Sequence, residues 1–335
     1  MAEQANVELV AWTRVDTPNL EVVPELLGQP HVFTFEGHDI SVSLPSADRV
    51  AGLSEHGIEK FSDDRVVIRG WRNQNGWPEL LAIGVYDVDV IISIPGTTLV
   101  PEEARTTAIT HKLYSEEQKA HLDKLVSDYG NVASRASDLW IRTLRWKTGN
   151  YRIGLPDVRE TETLVERTEI REKDTLNRFW NSALSIKAYM PAPVKIEVWD
   201  KVGAALSAGE SPPIYYDLLF SAWADLERGD LQRTIVDTAV AAETYIRTIV
   251  YDGLPPDLED TVRAYVERAN ISQVRDKFFP ARLNAQQKKR YRTLKPKLEQ
   301  LFTHRNDLMH KGRKQGLTAD HCKTLVKSVS ELISL

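Results

Sequence analysis

Cysteine is almost absent from this sequence. Cys322 is the only one in 335 residues, which excludes an internal disulfide and any cluster of thiolate ligands. Long apolar runs are also missing: no stretch approaches the ~20 residues that a helical membrane span requires. The first residues, Met1-Ala2-Glu3-Gln4-Ala5-Asn6, carry neither the basic nor the apolar region of a secretory signal. No phosphate-cradling glycine loop and no activated serine or cysteine motif occurs. His31, His38 and His56 are too scattered to suggest a metal site and are expected on the surface or in loops. The expectation is a cytoplasmic protein with no cofactor.

What remains is an ordinary globular composition, 42% hydrophobic and 27% charged, in a chain long enough for two or three domains. Charge is unevenly placed. Residues 275–314 hold thirteen Lys or Arg against three acids, so this segment is +10 in a chain whose net charge is -5, and the remainder is -15. A basic block in an acidic protein suits either a local anionic partner, usually nucleic acid, or a solvated helix face.

The first hundred residues have the alternation of strands. Val7 to Trp12 suits a first strand, and residues 31–35 and 39–44 alternate around Glu36-Gly37-His38 as a hairpin. Residues 66–71 form another strand, a turn follows at 73–76, and a strand over 80–94 ends at Pro95-Gly96. Ser115 and Gln118 form a capping box for one long helix reaching about Lys147 and ended by Gly149. Residues 151–155 suggest a short strand, and the first half of 160–186 suits either strand or helix. A short amphipathic helix is expected over 194–206. The predicted architecture is α+β: a β-rich domain over 1–110, a helical middle region over 111–210 and a helical domain over 211–335.

In the last domain, helices are expected over 215–227 and 231–250, the second capped by Asp230 and nearly free of charge. Glu243 lies inside that apolar run and needs a cation or a polar pocket as partner. Residues 252–284 form an insertion. A long helix over 286–311, restarting or kinking at Pro296, and a final helix capped by Thr318 complete four main helices.

The long helix carries apolar residues at Tyr291, Leu294, Leu298, Leu301 and Leu308, spaced by three and four except for one missing step. Arg305 stands at that step. A guanidinium on a packing seam is costly unless it meets an anion or a wet interface, and such local violations mark functional sites. Asn306 and His310, four apart, share a helix face. These residue types suit metal-free RNA cleavage. Histidine moves protons near neutral pH, arginine holds the phosphoryl oxygens, and asparagine orients the phosphate or the imidazole. No carboxylate pair or His/Cys spacing nearby would hold a metal. Spacing alone is weak evidence, because Arg49/His56 and Arg105/His111 repeat it, but only Arg305 is followed by asparagine.

The run Arg305-Asn306-Asp307-Leu308-Met309-His310 fits the arginine-polar-to-histidine motif of the HEPN family. With Asp217-Leu218-Leu219 and the stretch 230–246, including Ala241-Ala242-Glu243, it makes residues 211–335 resemble a HEPN domain. That is the four-helix domain of many prokaryotic defence and toxin ribonucleases. The resemblance implies a four-helix bundle with an insertion, acting as a homodimeric, metal-independent endoribonuclease. It implies catalytic Arg305, Asn306 and His310, supported by Glu243. RNA would be held by His304, Lys311, Arg313, Lys314, Lys288, Lys289, Arg290 and Arg292. It also implies an anti-phage or toxin-like setting, in which residues 1–110 act as a sensor or specificity module for a phage or protein trigger. The alternative is a non-catalytic module of the same kind that dimerises or binds nucleic acid.

Overall fold

The computed structural model describes residues 4–46, 49–50, 60–61, 63, 65–74, 77–105, 113–155, 167–173, 178–181, 193–311 and 317–335. The chain divides into two compact units, Met1–Ser211 and Pro212–Leu335. The class is α+β, with a sheet in the first unit and helices only among the described residues of the second.

The strands are β1 (Gln4–Val22), β2 (Pro30–Phe35), β3 (His38–Ser43), β4 (Arg49–Val50), β5 (Lys60–Phe61), β6 (Val66–Gln74), β7 (Trp77–Pro101), β8 (Arg167–Glu172) and β9 (Arg178–Asn181). An antiparallel sheet runs β2-β3-β7-β1-β8-β9, with β6 also on β7, while β4 and β5 pair separately. The long β7 shares one edge between β3, at 89–92, and β6, at 77–85. The β2–β3 hairpin turns on Glu36 and Gly37, both at positive φ, which matches the twist of the strands they join. Its alternation puts His31, Phe33, Ile40 and Val42 inside.

Helix α1 (Glu116–Thr148) starts at the expected Ser115/Gln118 capping box and stops at left-handed Gly149. With α2 (Ile196–Ser207) it supplies Leu122, Ala136, Trp140, Leu144, Trp199 and Val202 to one core with the sheet. Full burial of each large apolar side chain contributes roughly 1.5–3 kcal/mol.

Four expectations need correction. β7 does not stop at Pro95-Gly96. It continues to Pro101, because those two residues fall in the irregularity between Glu8 and Val10, where a missing ladder N–H costs little. Residues 151–155 form turns rather than a strand. They are pinned to β1, where the Gly154 amide donates to the Pro18 carbonyl and Asn19 Nδ2 donates to the Leu155 carbonyl. The segment 111–210 is not purely helical: it also contributes β8, which pairs with β1, and it folds within the first unit.

His31 is the fourth correction, since it is buried at 5% exposure rather than on the surface. Its ring stacks on Trp199 with centroids 3.9 Å apart. Trp140 Nε1 donates to Nδ1 at 2.9 Å, so the ring proton lies on Nε2, which donates to the Trp199 carbonyl at 3.0 Å. Burial pushes its pKa down to about 4, against the raising influence of that carbonyl and of Asp200. The imidazole is a neutral core group.

The second unit comprises α3 (Ile214–Glu227), α4 (Leu231–Asp252), α5 (Asp260–Arg268), α6 (Ile271–Gln273), a π-helical turn (Val274–Phe278), α7 (Phe279–Arg282), α8 (Ala285–Lys311) and α9 (Ala319–Ile333). Asp230 caps α4, Asn284 and Gln287 cap α8 reciprocally, and Thr318 caps α9. Helices α3, α4, α8 and α9 share one apolar core built on Ile235, Ala242, Ile246, Leu298, Leu301 and Val329. The segment between α4 and α8 takes part in it, since Val274 and Phe279 are fully buried. Helix α8 continues through Pro296, which has no N–H for the carbonyl four residues back. Cys322 is free and buried in the same core.

Candidate functional site

The α8 stripe reads from buried to open. Tyr291, Leu294, Leu298 and Leu301 are buried, Leu308 is partly buried against the same core, and Arg305 between them is half-buried. Arg305 Nη1 donates to Asn306 Oδ1 at 3.1 Å, a bond that leaves most of the guanidinium's donors available. His310 lies beyond, exposed on the last turn, with no hydrogen bond, ion pair or ring contact among the described residues. The structure joins Arg305 to Asn306 through that bond and sets His310 one turn of α8 beyond Asn306. Arg313, Lys314, His56 and His111 lie outside the described residues, and Lys311 closes α8.

A different histidine meets this site. His304, half-buried beside Arg305, places Nε2 3.1 Å from Nε2 of His321 on the first turn of α9, with ring centroids 5.1 Å apart and edges crossed. One ring donates and the other accepts. Burial lowers the His304 pKa, the His321 ring lowers it further, and Asp307 opposes both. His321 escaped the sequence reading because nothing local marks it. The available signal was the short connection from α8 to α9, which sets the end of one helix opposite the start of the next.

The same end of the unit holds the α3–α4 turn. A cleft of ≈ 490 Å³ is lined by Arg228, Gly229, Asp230, Leu231 and Gln232 together with Leu317, just before α9. Beneath it, buried Asp225 pairs with Arg228 at 3.4 Å and with Arg233 at 3.2 Å.

The chain matches no family model, no curated protein and no solved structure.

The basic residues of the π-helical turn and of α8 include two distinct groups. Buried Arg275 pairs with Asp276 at 2.8 Å and lies over the Phe302 ring at 5.8 Å, while Lys295 pairs with Asp276 and Glu299. These cations serve the fold. Lys289, Arg290 and Arg292 are exposed and Lys288 is half-buried, with no acid paired to any of the four among the described residues. They begin α8, and Arg305 lies near its end. Even Arg292 is roughly 20 Å from Arg305 along the axis at ~1.5 Å per residue, so this group and the Arg305 end are separate patches. Glu243 accepts from Arg247 Nε at 2.9 Å. Arg247 in turn donates to the Glu267 and Ala269 carbonyls, so Glu243 is tied to the α5 side of α4.

On the first unit, Arg65 bridges Asp63 at 2.6 Å and Asp89 at 2.9 Å, and burial pushes Asp87 beside them up to about 7. No group of three or more His, Cys, Asp or Glu that could hold a metal occurs among the described residues. Nor does any described helix have the length and apolarity to cross a membrane.

Proposed function

We propose that the chain is a metal-independent endoribonuclease of the HEPN type, acting at the end of the second unit where α8 meets α9. The observation that carries this reading is Arg305. It occupies a core-facing step of α8 without an acid partner among the described residues, so its charge is available to a phosphate entering from solvent. Asn306 fixes one edge of the guanidinium, and the neighbouring histidines supply groups that exchange protons near neutral pH. The 2′-hydroxyl would attack the adjacent phosphorus, releasing a 5′-hydroxyl and leaving a 2′,3′-cyclic phosphate. The exposed Met309 beside His310 suits contact with a second copy, which would complete a homodimeric site.

The test is incubation with single-stranded and structured RNA in EDTA, comparing wild type with Arg305→Ala and His310→Ala. Cleavage with cyclic-phosphate ends, lost in Arg305→Ala, is expected. Equal cleavage by all three proteins sinks the reading. The exposed His310, with no hydrogen bond or ion pair among the described residues, favours a second reading, a module that dimerises or binds nucleic acid without cutting it. Salt-dependent RNA binding with no cleavage products, unchanged in His310→Ala, would select it.

The first unit would select the target or sense a phage or protein trigger in a defence or toxin-like setting. Deletion of residues 1–211 with unchanged target range and control would overturn that assignment.

A further inference from the structure

We infer that His304 and His321 form a binding site for one divalent transition-metal ion of the zinc class, and that its occupancy shuts off the cleavage proposed above. Only the shut-off rests on the ribonuclease reading. The two Nε2 atoms stand 3.1 Å apart, one from α8 and one from the first turn of α9. The rings cross at 74° with centroids 5.1 Å apart, so each turns its Nε2 edge rather than its face to the other. Two imidazoles on one tetrahedral zinc, each at ~2.0–2.1 Å, hold their nitrogens about 3.4 Å apart. The pair therefore needs to part by only about 0.3 Å to take the ion. Both rings are half-buried. Their helices are fixed through the core by Leu301 and Phe302 of α8 and by Cys322 and Leu325 of α9, so the fold sets the two ligands before any ion arrives.

Binding uses both Nε2 lone pairs. In the hydrogen-bonded pair one Nε2 carries the proton. That ring moves it to Nδ1 by exchange with solvent, and both rings stay neutral. Imidazole nitrogen suits zinc, copper or nickel, whereas magnesium and calcium take oxygen ligands. Asp307, three residues along α8, acts on the charge of His304 and would offset part of the charge of the ion. Cys322 follows His321 but is buried in the core and supplies no ligand. Among the described residues no third His, Cys, Asp or Glu completes a metal group, so water fills the remaining positions and the ion binds reversibly. The ion is no cofactor of the cleavage. It occupies the Nε2 atoms beside Arg305 that otherwise exchange protons, and so it opposes the reaction.

Isothermal titration calorimetry follows zinc, nickel and magnesium chlorides into the metal-free full chain. The proteins are wild type, His304→Gln, His321→Gln and His121→Gln, the last replacing an exposed histidine of α1. Circular dichroism checks that each folds without metal. Zinc and nickel should bind wild type and His121→Gln at one ion per chain, and magnesium should bind neither. Each variant of the pair should weaken zinc binding at least about tenfold. No saturable zinc binding, or equal affinity in all four proteins, overturns the site. Where a variant unfolds, anomalous diffraction from zinc-bound wild type decides: the peak is expected between the two Nε2 atoms, and a peak elsewhere overturns the site. Zinc at the concentration that saturates the calorimetric site should slow wild-type RNA cleavage at least about a hundredfold, and EDTA should restore it. Unchanged or faster cleavage by the zinc-bound protein overturns the shut-off, while the metal site and the ribonuclease reading stand. A wild type that cuts no RNA in EDTA overturns the ribonuclease reading and the shut-off with it, and calorimetry still decides the site.

Discussion

Trp140 Nε1 donates to His31 Nδ1 at 2.9 Å, joining α1 to the edge of the sheet through a bond that only an unprotonated Nδ1 can accept. Protonating His31 would turn that acceptor into a donor facing a donor. Its pKa of about 4 lies below the unfolded value of 6.5, so the unfolded chain binds the proton more tightly. Its contribution to stability is complete above about pH 6.5. It is lost as pH falls toward 4, amounting to about 3 kcal/mol. Urea midpoints of the first unit, followed by tryptophan fluorescence between pH 7.5 and 4, should fall over that window. His31→Leu should flatten the slope, and an unaltered slope would refute the assignment.

Gly203 leaves room for the same ring. A Cβ at this position would stand 2.9 Å from His31 Cδ2, closer than carbon atoms normally approach. Gly203→Ala should destabilise the first unit by about 1–3 kcal/mol, the usual range for overpacking a core. Thermal melting decides this, and a melting temperature at or above wild type would show that α2 shifts without cost.

Arg305 offers a trade between stability and function. Leucine at this step would extend the buried stripe from Leu301 to Leu308. Arg305→Leu should raise stability by about 0.5–1 kcal/mol and abolish RNA cleavage. A variant both less stable and inactive would mean that the guanidinium serves packing rather than phosphate.

The corrections share one cause: residues brought together from far apart in sequence. The β2–β3 hairpin and the α1 start were legible because alternation, Gly37 and the Ser115/Gln118 box act within a few residues. The burial of His31 depends on Trp140 and Trp199, more than a hundred residues away, and no local pattern reports it. Residues 167–172 become a strand because β1 offers a free edge, although their own composition suits either state. At the site, Arg305 was visible as a break in an apolar repeat. Its partner Asn306 was visible too. The His304–His321 contact was not, because it exists only once α8 and α9 lie antiparallel. Glu243 was correctly marked as needing a partner, but that partner is Arg247, one turn further along α4. Glu243→Gln should therefore cost about 0.5–1 kcal/mol of stability and leave RNA cleavage unchanged. Loss of cleavage in a folded variant would return Glu243 to the site.

The cations that begin α8 separate binding from chemistry. Lys288, Lys289, Arg290 and Arg292 have no acid partner among the described residues and stand well away from Arg305 along the helix. If RNA lies along α8, each contact to a phosphate releases a counterion. The salt dependence of affinity then steepens by about 0.7 in log–log slope per contact on a single strand. A variant with all four changed to glutamine should bind RNA more weakly at low salt and show a shallower slope. Its single-turnover cleavage rate at saturating RNA should match wild type, because Arg305 and the histidines are untouched. Arg305→Ala should do the reverse, losing the rate with a slope reduced by one contact at most. Filter binding from 50 to 300 mM KCl with single-turnover kinetics on the same proteins reads both quantities. Equal slopes for wild type and the fourfold variant would show that RNA does not follow this face of α8 and would confine its footprint to the α8–α9 end.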